Sequence, residues 1–358
     1  MYKIRMYSKA DMAQGHGVLS AHDEQVALVK NYLANDFQVV ENAHILSDIN
    51  HFHTINPEFL LFAFWGKLRG CKNVGYVHFL PETLKNSIHL PKPIEWLYYK
   101  YVLFFYRRMD ALVTVNPYFI DILEKNYHIP RSKVTYIPNV VSSKSFYPMS
   151  ADAKRGVQSY FALQSSPKSD SENDWGNNLV KEKFTVLCAG QLQKRKGIFD
   201  FIEIAKQMPD VHFVWAGDFS FGKISQDYEK IKKIVANPPS NVTFLGLVDH
   251  NEMNLLYNAC DMMLLPSYEE LFPMTILEAM RCEIPILVRS LDLYDEILFD
   301  YVQYADSVEE FVTRIQQLRD DGSFYRHCCE CSKLGSAEYS EEAVAFAWQS
   351  FYFYIMSQ

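Results

Sequence analysis

Short apolar segments alternate with longer helical segments along almost the whole chain. Six short segments fall in each half, and most are separated by a helical stretch. This alternation is typical of parallel β-sheets whose two faces are covered by helices. Because 358 residues are more often two domains than one, the sequence predicts an α/β protein with two Rossmann-like domains.

The predicted strands have few polar positions, and the predicted helices fill most of the intervals. Strands are predicted at residues 2–7, 37–41, 45–52, 74–78, 111–115 and 134–137, then at 184–189, 212–216, 242–245, 262–265, 284–288 and 302–304. Helices are predicted at 20–34, 57–69, 94–109, 117–127, 198–207, 226–235, 252–259, 274–281, 294–298, 308–319 and 341–356.

A polar stretch at 142–183 separates the two halves. Its Ser, Asp and Asn residues cannot bury apolar surface, which predicts a mobile loop near 150–182. The domains are therefore expected at 1–147 and 148–339, with a terminal helix at 340–358.

Composition narrows the function classes. A net charge of −8 argues against general nucleic-acid binding. No apolar run reaches the roughly 20 residues that span a bilayer, and the charged first segment is typical of a strand and not of a signal peptide.

Seven cysteines, an odd number, favour a reducing compartment. The group of His327, Cys328, Cys329 and Cys331 has no second Cys/His pair nearby, which favours incidental thiols on a helix over a zinc site.

Two acidic residues, Glu270 and Glu278, are separated by seven residues around a predicted strand end and helix start. Ligands bind at the carboxyl ends of strands in open α/β sheets. The first backbone N–H groups of the helix, at Thr275 and Ile276, are expected to face an anion. Carboxylates for hydroxyl groups beside a helix terminus for phosphate indicate a nucleotide sugar as ligand.

This segment resembles the E-x7-E motif of retaining glycosyltransferases with the GT-B fold, of the family-4 type. The preceding Pro266-Ser267 and the following Ala279-Met280 also fit, whereas Leu271 replaces the usual glycine. The resemblance implies two Rossmann-like domains around a deep cleft. The first binds the acceptor, the second binds the nucleotide sugar, and the terminal helix packs back on the first.

A basic turn at residues 190–197 resembles the family's G-R-L-x-x-x-K-G segment, in which Arg and Lys hold the donor diphosphate. Lys196 matches the Lys, but Gln191 stands at the Arg position, so Arg195 or Lys194 would have to supply the second cation. Cations aimed at a departing diphosphate lower the barrier. Taken alone, the segment favours a solvated basic turn; in register with the acidic motif, it favours a diphosphate site.

The resemblance places the remaining donor contacts on loops that follow strands. The expected donor-binding residues are Gly17, Gln191, Arg195, Lys196, Gly246, Glu270, Leu271, Phe272, Thr275 and Glu278. The expected catalytic residues are His78, Lys196 and Glu270. His78 ends a predicted strand, where an imidazole could bond to a sugar hydroxyl; the alternative is a structural histidine at a domain edge. His53 is an even choice between these two roles, and His51 is expected to be structural.

The segment from Leu84 to Arg108 carries five basic residues and one acid, a charge of +4, interleaved with seven Trp, Tyr and Phe residues. Such a mixture suits the boundary between lipid headgroups and acyl chains. The alternative is a helix buried against the first sheet. The residues expected at the acceptor and the membrane are Lys92, Trp96, Lys100, Arg107 and Arg108.

No D-x-D motif is present, and neither a metal nor another cofactor is expected. The resemblance extends to bacterial glycolipid synthases that add a second hexose to monoglucosyl-diacylglycerol. It implies a metal-independent, retaining transfer of galactose or glucose, expected from a UDP sugar, on the cytoplasmic face of the cell membrane. The alternatives are a polysaccharide or teichoic-acid glycosyltransferase, and a non-catalytic partner subunit.

Overall fold

The computed structural model describes residues 1–10, 17–43, 46–78, 80, 91–150, 183–219 and 227–358. The predicted mobile loop, apart from its first residue, lies outside these ranges. So do the start of the third predicted strand, the glycine-loop residues 15 and 16, and the first residues of the basic segment that begins at Leu84.

The first half forms a six-stranded parallel sheet in the order β2-β1-β3-β4-β5-β6. Its strands are β1 (Tyr2–Tyr7), β2 (Phe37–Glu41), β3 (Ile49–Phe52), β4 (Lys72–Val77), β5 (Ala111–Thr114) and β6 (Val134–Tyr136). Its helices are α1 (Gly17–Tyr32), α2 (Pro57–Leu68), α3 (Lys92–Arg108) and α4 (Tyr118–Tyr127).

The second half forms another six-stranded parallel sheet, in the order β12-β11-β10-β7-β8-β9. Its strands are β7 (Thr185–Ala189), β8 (His212–Ala216), β9 (Val242–Gly246), β10 (Met262–Leu265), β11 (Ile286–Arg289) and β12 (Gln303–Ala305). Its helices are α5 (Ile198–Gln207), α6 (Tyr228–Ala236), α7 (His250–Ala259), α8 (Met274–Arg281), α9 (Val308–Asp320) and α10 (Gly322–Glu338). The predicted α/β class with two parallel sheets is confirmed.

The last helix, α11 (Glu341–Ser357), lies on the first sheet although it follows the second in sequence. The Gln25 amide on α1 donates to the Tyr352 hydroxyl at 2.9 Å, and the Gln349 amide donates to Asp36 at 2.7 Å. Trp348 is buried and its ring lies 5.7 Å from that of Tyr76 on β4. This helix therefore ties the end of the chain to the core of the first sheet.

Two helix predictions differ from the structure. The helix predicted at 294–298 is replaced by two 3-10 turns, Asp292–Tyr294 and Phe299–Tyr301, because so short a segment gains too few hydrogen bonds to offset helix nucleation. Helix α10 is missing from the predicted helix ranges, although the thiols at 328–331 were expected on a helix, since its glycines and small polar residues weaken the helical pattern. Asp321 caps it by accepting from the Ser323 and Phe324 N–H groups.

None of the helices in the described ranges is both long enough and apolar enough to cross a bilayer.

Candidate active site

Both glutamates of the acidic motif lie on one strand-loop-helix unit of the second sheet. Strand β10 is fully buried, and the loop that follows it leads into α8. Glu270, in the loop at the carboxyl edge of the sheet, is 7% exposed, and Glu278, on α8, is 4% exposed. Both carboxylates are thus withdrawn from bulk water. Charge interactions are stronger in such a buried place than in water.

Lys196 meets Glu270 between two neighbouring loops, because β7 and β10 are adjacent in the sheet. The Lys196 Nζ lies 2.6 Å from the Glu270 Oε1, and their side chains are 14% and 6% exposed. Gly197 permits this approach: its φ is +77°, and a Cβ there would lie 2.3 Å from the Pro266 carbonyl oxygen. Burial lowers the pKa of Lys196, and the Glu270 carboxylate opposes that shift.

Arg195 is held both by its own loop and by the loop that follows β10. The Arg195 Nε donates to the Gln193 Oε1 at 2.8 Å, and its Nη1 lies 3.4 Å from the Glu269 carbonyl oxygen. Gln191, which stands where the family has Arg, is buried. Gly246 ends β9 with φ +70°, and the space where a side chain would begin is open. Lys196 is therefore the cation of this turn that contacts the acidic motif.

Glu278 has a partner that the sequence did not reveal. The Tyr257 hydroxyl on α7 donates to the Glu278 Oε2 at 2.8 Å, and both residues are buried. The pKa of Glu278 is raised to about 7 by the sum of three effects: burial raises it most, the Tyr257 hydrogen bond lowers it, and the Glu24 carboxylate raises it. Glu278 is therefore oriented by a tyrosine and poised to exchange a proton near neutral pH.

The start of α8 faces the start of α1. A Cβ on Gly17, the first residue of α1, would lie 3.9 Å from the Met274 Cγ. Thr275 is half-buried in the first turn of α8. The Ile276 N–H donates to the Pro273 carbonyl at 3.2 Å, and the expectation that the first turn of α8 faces an anion stays a prediction. The glycine predicted to approach the donor thus lies beside the helix predicted to bind it.

Two asparagines from the first sheet hold the loop that contains Glu270. The Asn116 Nδ2, at the end of β5, donates to the Leu271 carbonyl at 3.0 Å and to the Leu293 carbonyl at 2.8 Å. The Asn139 Nδ2 donates to the Phe272 carbonyl at 3.0 Å. Sequence reasoning missed both asparagines. They position the backbone beside the candidate catalytic carboxylate from the opposite side of the cleft.

Four buried imidazoles cluster at the carboxyl edge of the first sheet. The ring of His53 lies 4.8 Å from His22, 4.7 Å from His51 and 5.7 Å from His78. Burial lowers the pKa of His51 and His78 to about 3 and that of His53 well below its ordinary value. His51 lies 3.1 Å from the Tyr352 hydroxyl, whereas neither ring nitrogen of His53 bonds to a described residue. His53 and His78 are therefore neutral near pH 7.

Helix α3 has one buried face and one exposed face. Its inner side is buried at Val102, Leu103, Phe105 and Tyr106. Its outer side exposes Ile94, Trp96, Leu97 and Phe104 by 45–63%. Lys92, Lys100, Arg107 and Arg108 are also exposed, and the Lys100 Nζ lies 5.7 Å from the centroid of the Trp96 ring. One face anchors the helix to the sheet, and the other presents cations and aromatic rings to the surroundings.

In the described part of the chain no cluster of three or more His, Cys, Asp and Glu residues could hold a metal ion. His327 and Cys331 lie on α10 with the His Nε2 3.6 Å from the Sγ.

Family models match both halves of the chain. The model described as Glycosyltransferase Family 4 matches residues 29–144, and the one described as Glycosyl transferases group 1 matches residues 169–333. The chain is 41% identical to the alpha-galactosylglucosyldiacylglycerol synthase of Streptococcus pneumoniae, over 98% of this chain and 89% of that protein. It is 27% identical to the processive diacylglycerol alpha-glucosyltransferase of Acholeplasma laidlawii, over 62% of this chain and 60% of that protein.

Solved structures show the same fold. HepE from Anabaena, crystallised with UDP and glucose, superposes with a TM-score of 0.74 at 14% identity, covering 98% of this chain and 99% of that chain. Sucrose-phosphate synthase from Thermosynechococcus elongatus superposes with a TM-score of 0.74 at 16% identity, covering 100% of both chains. At these identities the likeness concerns the fold.

Proposed function

Because this chain belongs to the glycosyltransferases of the GT-B fold and of the family-4 type, we propose that it moves galactose or glucose from a UDP-linked donor to a membrane glycolipid such as monoglucosyl-diacylglycerol. The buried contact between Lys196 and Glu270 carries the assignment of the reacting centre. The similarity to the pneumococcal synthase over almost the whole chain supports the glycolipid acceptor.

The donor is placed by the second domain. Glu278, oriented by Tyr257, accepts hydrogen bonds from the ribose hydroxyls in its ionised form. Lys196 and the first turn of α8 face the diphosphate, whose negative charge grows as the sugar departs. The Lys196 side chain is only 14% exposed, so its charge acts in a medium that screens it weakly. No metal ion is required in this scheme.

The transfer retains the configuration at the anomeric carbon. The bond from that carbon to the diphosphate oxygen breaks, and a bond to the acceptor hydroxyl oxygen forms on the same face of the sugar. The acceptor proton passes to the departing diphosphate oxygen. Glu270 and the neutral His78 bind sugar hydroxyls on either side of the reacting carbon and hold it for this exchange.

The acceptor reaches the cleft from an anionic membrane surface on which α3 docks. Its exposed tryptophan and cations suit that boundary. Replacing Lys92, Lys100, Arg107 and Arg108 by Gln is expected to release the chain from anionic vesicles. Donor hydrolysis is expected to survive, because the donor site lies in the other domain. Unchanged sedimentation with a lower melting temperature would mean that α3 is only a core helix.

A panel of acceptors tests the proposal. The purified chain is incubated with labelled UDP-galactose or UDP-glucose and with vesicles containing monoglucosyl-diacylglycerol, and product partitioning is measured with and without EDTA. Label is expected in the lipid phase from one donor, unchanged by EDTA, and absent with Glu270→Gln. Transfer to a glycerol-phosphate polymer and not to lipid, or a metal requirement, would overturn the proposal.

A further inference from the structure

We propose that α2, together with the cleft between this helix and β1, forms a second membrane-docking site that binds an anionic phospholipid. The exposed face of the helix enters the acyl boundary, and two arginines in the cleft hold the lipid phosphate. This proposal rests on the membrane acceptor proposed above and adds a site that is separate from α3.

Helix α2 turns its apolar face outward. Leu61, Phe64, Trp65 and Leu68 are exposed by 55–64%, and their spacing of three, one and three residues places them on one side of the helix. A surface helix ordinarily shows the opposite arrangement, with its apolar stripe in the core. A contiguous apolar stripe on the outside marks an interaction surface.

The rotation of α2 is fixed by polar contacts on its inner side. A Cβ on Gly66 would lie 2.2 Å from the Asn50 Nδ2, so the helix can approach the sheet only with glycine there. The Asn73 Nδ2 donates to the Ala63 carbonyl at 2.9 Å, and the Asn50 Nδ2 donates to the Asn73 Oδ1 at 3.0 Å. Turning the apolar stripe inward would break this buried network, so the stripe has to face the surroundings.

A cleft of about 570 Å³ opens beside the stripe. It is lined by Arg5, Tyr7, Leu46, Phe62, Trp65 and Arg69, together with two small residues, and none of these is acidic. Arg5 reaches the cleft from β1, which lies next to the edge strand β2. Arg69 reaches it from just beyond the end of α2. The cleft therefore joins two guanidinium groups to apolar walls.

Arg5 is pre-oriented in this cleft. Its Nη1 donates to the Ala43 carbonyl at 3.0 Å, and its guanidinium carbon lies 5.2 Å from the centroid of the Tyr7 ring. Its Nε is buried and bonds to no described residue. That nitrogen is closed to solvent, and the Nη2 donates to the Ser47 Oγ at 3.3 Å, so Arg5 would attract a phosphate in the cleft through its fixed positive charge.

A lipid suits the combination of charges and apolar surface, and α3 sets the orientation. The Tyr101 hydroxyl on α3 donates to the Ile55 carbonyl just before α2, and the Lys67 Nζ of α2 lies 3.1 Å from Asp110 just after α3. The two helices therefore run side by side on the same face of the sheet. Their exposed apolar residues can enter one flat surface together, which a bilayer provides and a small soluble anion does not.

Fluorescence quenching by lipids brominated on the acyl chains tests the α2 contact in the full-length chain. Vesicles of phosphatidylcholine with and without phosphatidylglycerol are used. Trp65→Phe is expected to remove one part of the quenching seen with the unmodified protein, and Trp96→Phe on α3 a separate part. If Trp65→Phe leaves the quenching unchanged while Trp96→Phe removes it, the protein docks through α3 alone and the proposal is overturned.

Affinity for the anionic vesicles tests the cleft. Arg5→Gln and Arg69→Gln are each expected to weaken binding about fivefold at low salt, since each cation near such a surface contributes about 1 kcal/mol. Arg326→Gln, an exposed arginine on α10, is the control and is expected to change little. Arg69 is exposed, so its variant is expected to fold even if Arg5→Gln does not.

Equal effects of Arg69→Gln and Arg326→Gln would overturn the cleft assignment. Transfer to a detergent-dispersed glycolipid separates this outcome from failure of the proposed function. The cleft variants are expected to keep that activity, because they lie outside the reacting centre. If the unmodified protein fails to transfer to any lipid, the proposed function is wrong regardless of how α2 binds vesicles.

Discussion

Replacing Lys196 by Met removes one member of the buried ion pair at the reacting centre and leaves the Glu270 carboxylate behind. The two charged atoms lie 2.6 Å apart, and the side chains are 14% and 6% exposed. A side chain of similar length without charge changes little in packing. The variant therefore tests the charge and not the volume of Lys196.

The expected loss of stability is about 3–5 kcal/mol, because an unpaired carboxylate remains in a buried place. A loss of about 3 kcal/mol corresponds to a fall in Tm of about 6–12 °C in a unit of 150–250 residues. Turnover is expected to fall at least about tenfold, since the cation that faces the leaving diphosphate is gone.

The double variant Lys196→Met/Glu270→Gln separates folding from chemistry. Without the stranded carboxylate, about 2 kcal/mol of the lost stability is expected to return, because contacting residues couple strongly. Activity is expected to stay lost. Denaturant unfolding and lipid-transfer rates on the same preparations measure both. A double variant that is as unstable as the sum of the single variants, or one that regains turnover, would refute the reasoning.

Three further predictions follow from the contacts of the cleft. Tyr257→Phe is expected to weaken UDP binding about fivefold to tenfold, because Glu278 loses an orienting hydrogen bond worth about 1–1.5 kcal/mol; unchanged affinity in calorimetry would contradict it. His53→Asn is expected to flatten the pH dependence of stability. The folded-state pKa of His53 is far below that of the unfolded chain, so only the unfolded chain takes up the proton, and stability is lost as pH falls below about 6.5. Between pH 7.5 and 5.5, the free energy of unfolding of the unmodified protein is therefore expected to fall by about 1.4 kcal/mol more than that of the variant. Parallel curves of this free energy against pH would refute the prediction. Asn116→Ala is expected to lower kcat more than it raises KM, because the loop that carries Glu270 loses its anchor across the cleft; Asn241→Ala, which removes hydrogen bonds within the second domain only, is the control, and an equal fall in kcat in both variants would contradict the positioning role.

The order of strands and helices could be predicted because buried parallel strands have to be continuously apolar. Strand β10 is an example, since all of its residues are buried. The acidic motif could be placed for the same reason, as it directly follows that strand. The membership in the glycosyltransferase family inferred from this motif is confirmed by the family models and by the pneumococcal relative.

The partners of the motif could not be predicted, because they are set by contacts between distant parts of the chain. Tyr257 is 21 residues from Glu278, and Asn116 is 155 residues from Leu271. Neither residue type announces such a contact locally. Helix α2 illustrates the same limit: its sequence is apolar around most of its circumference, and only the packing of Gly66 on Asn50 decides which side faces outward.

The most direct test of the central claim is the structure of the product. The chain is incubated with a UDP hexose and with vesicles of monoglucosyl-diacylglycerol, and the lipid product is examined by mass spectrometry and by NMR of the new anomeric proton. A diglycosyl lipid whose new linkage is α, like that of the sugar in the donor, is predicted. A β linkage would contradict the retaining mechanism, and glycosylation of water-soluble acceptors without any lipid product would contradict the assigned acceptor.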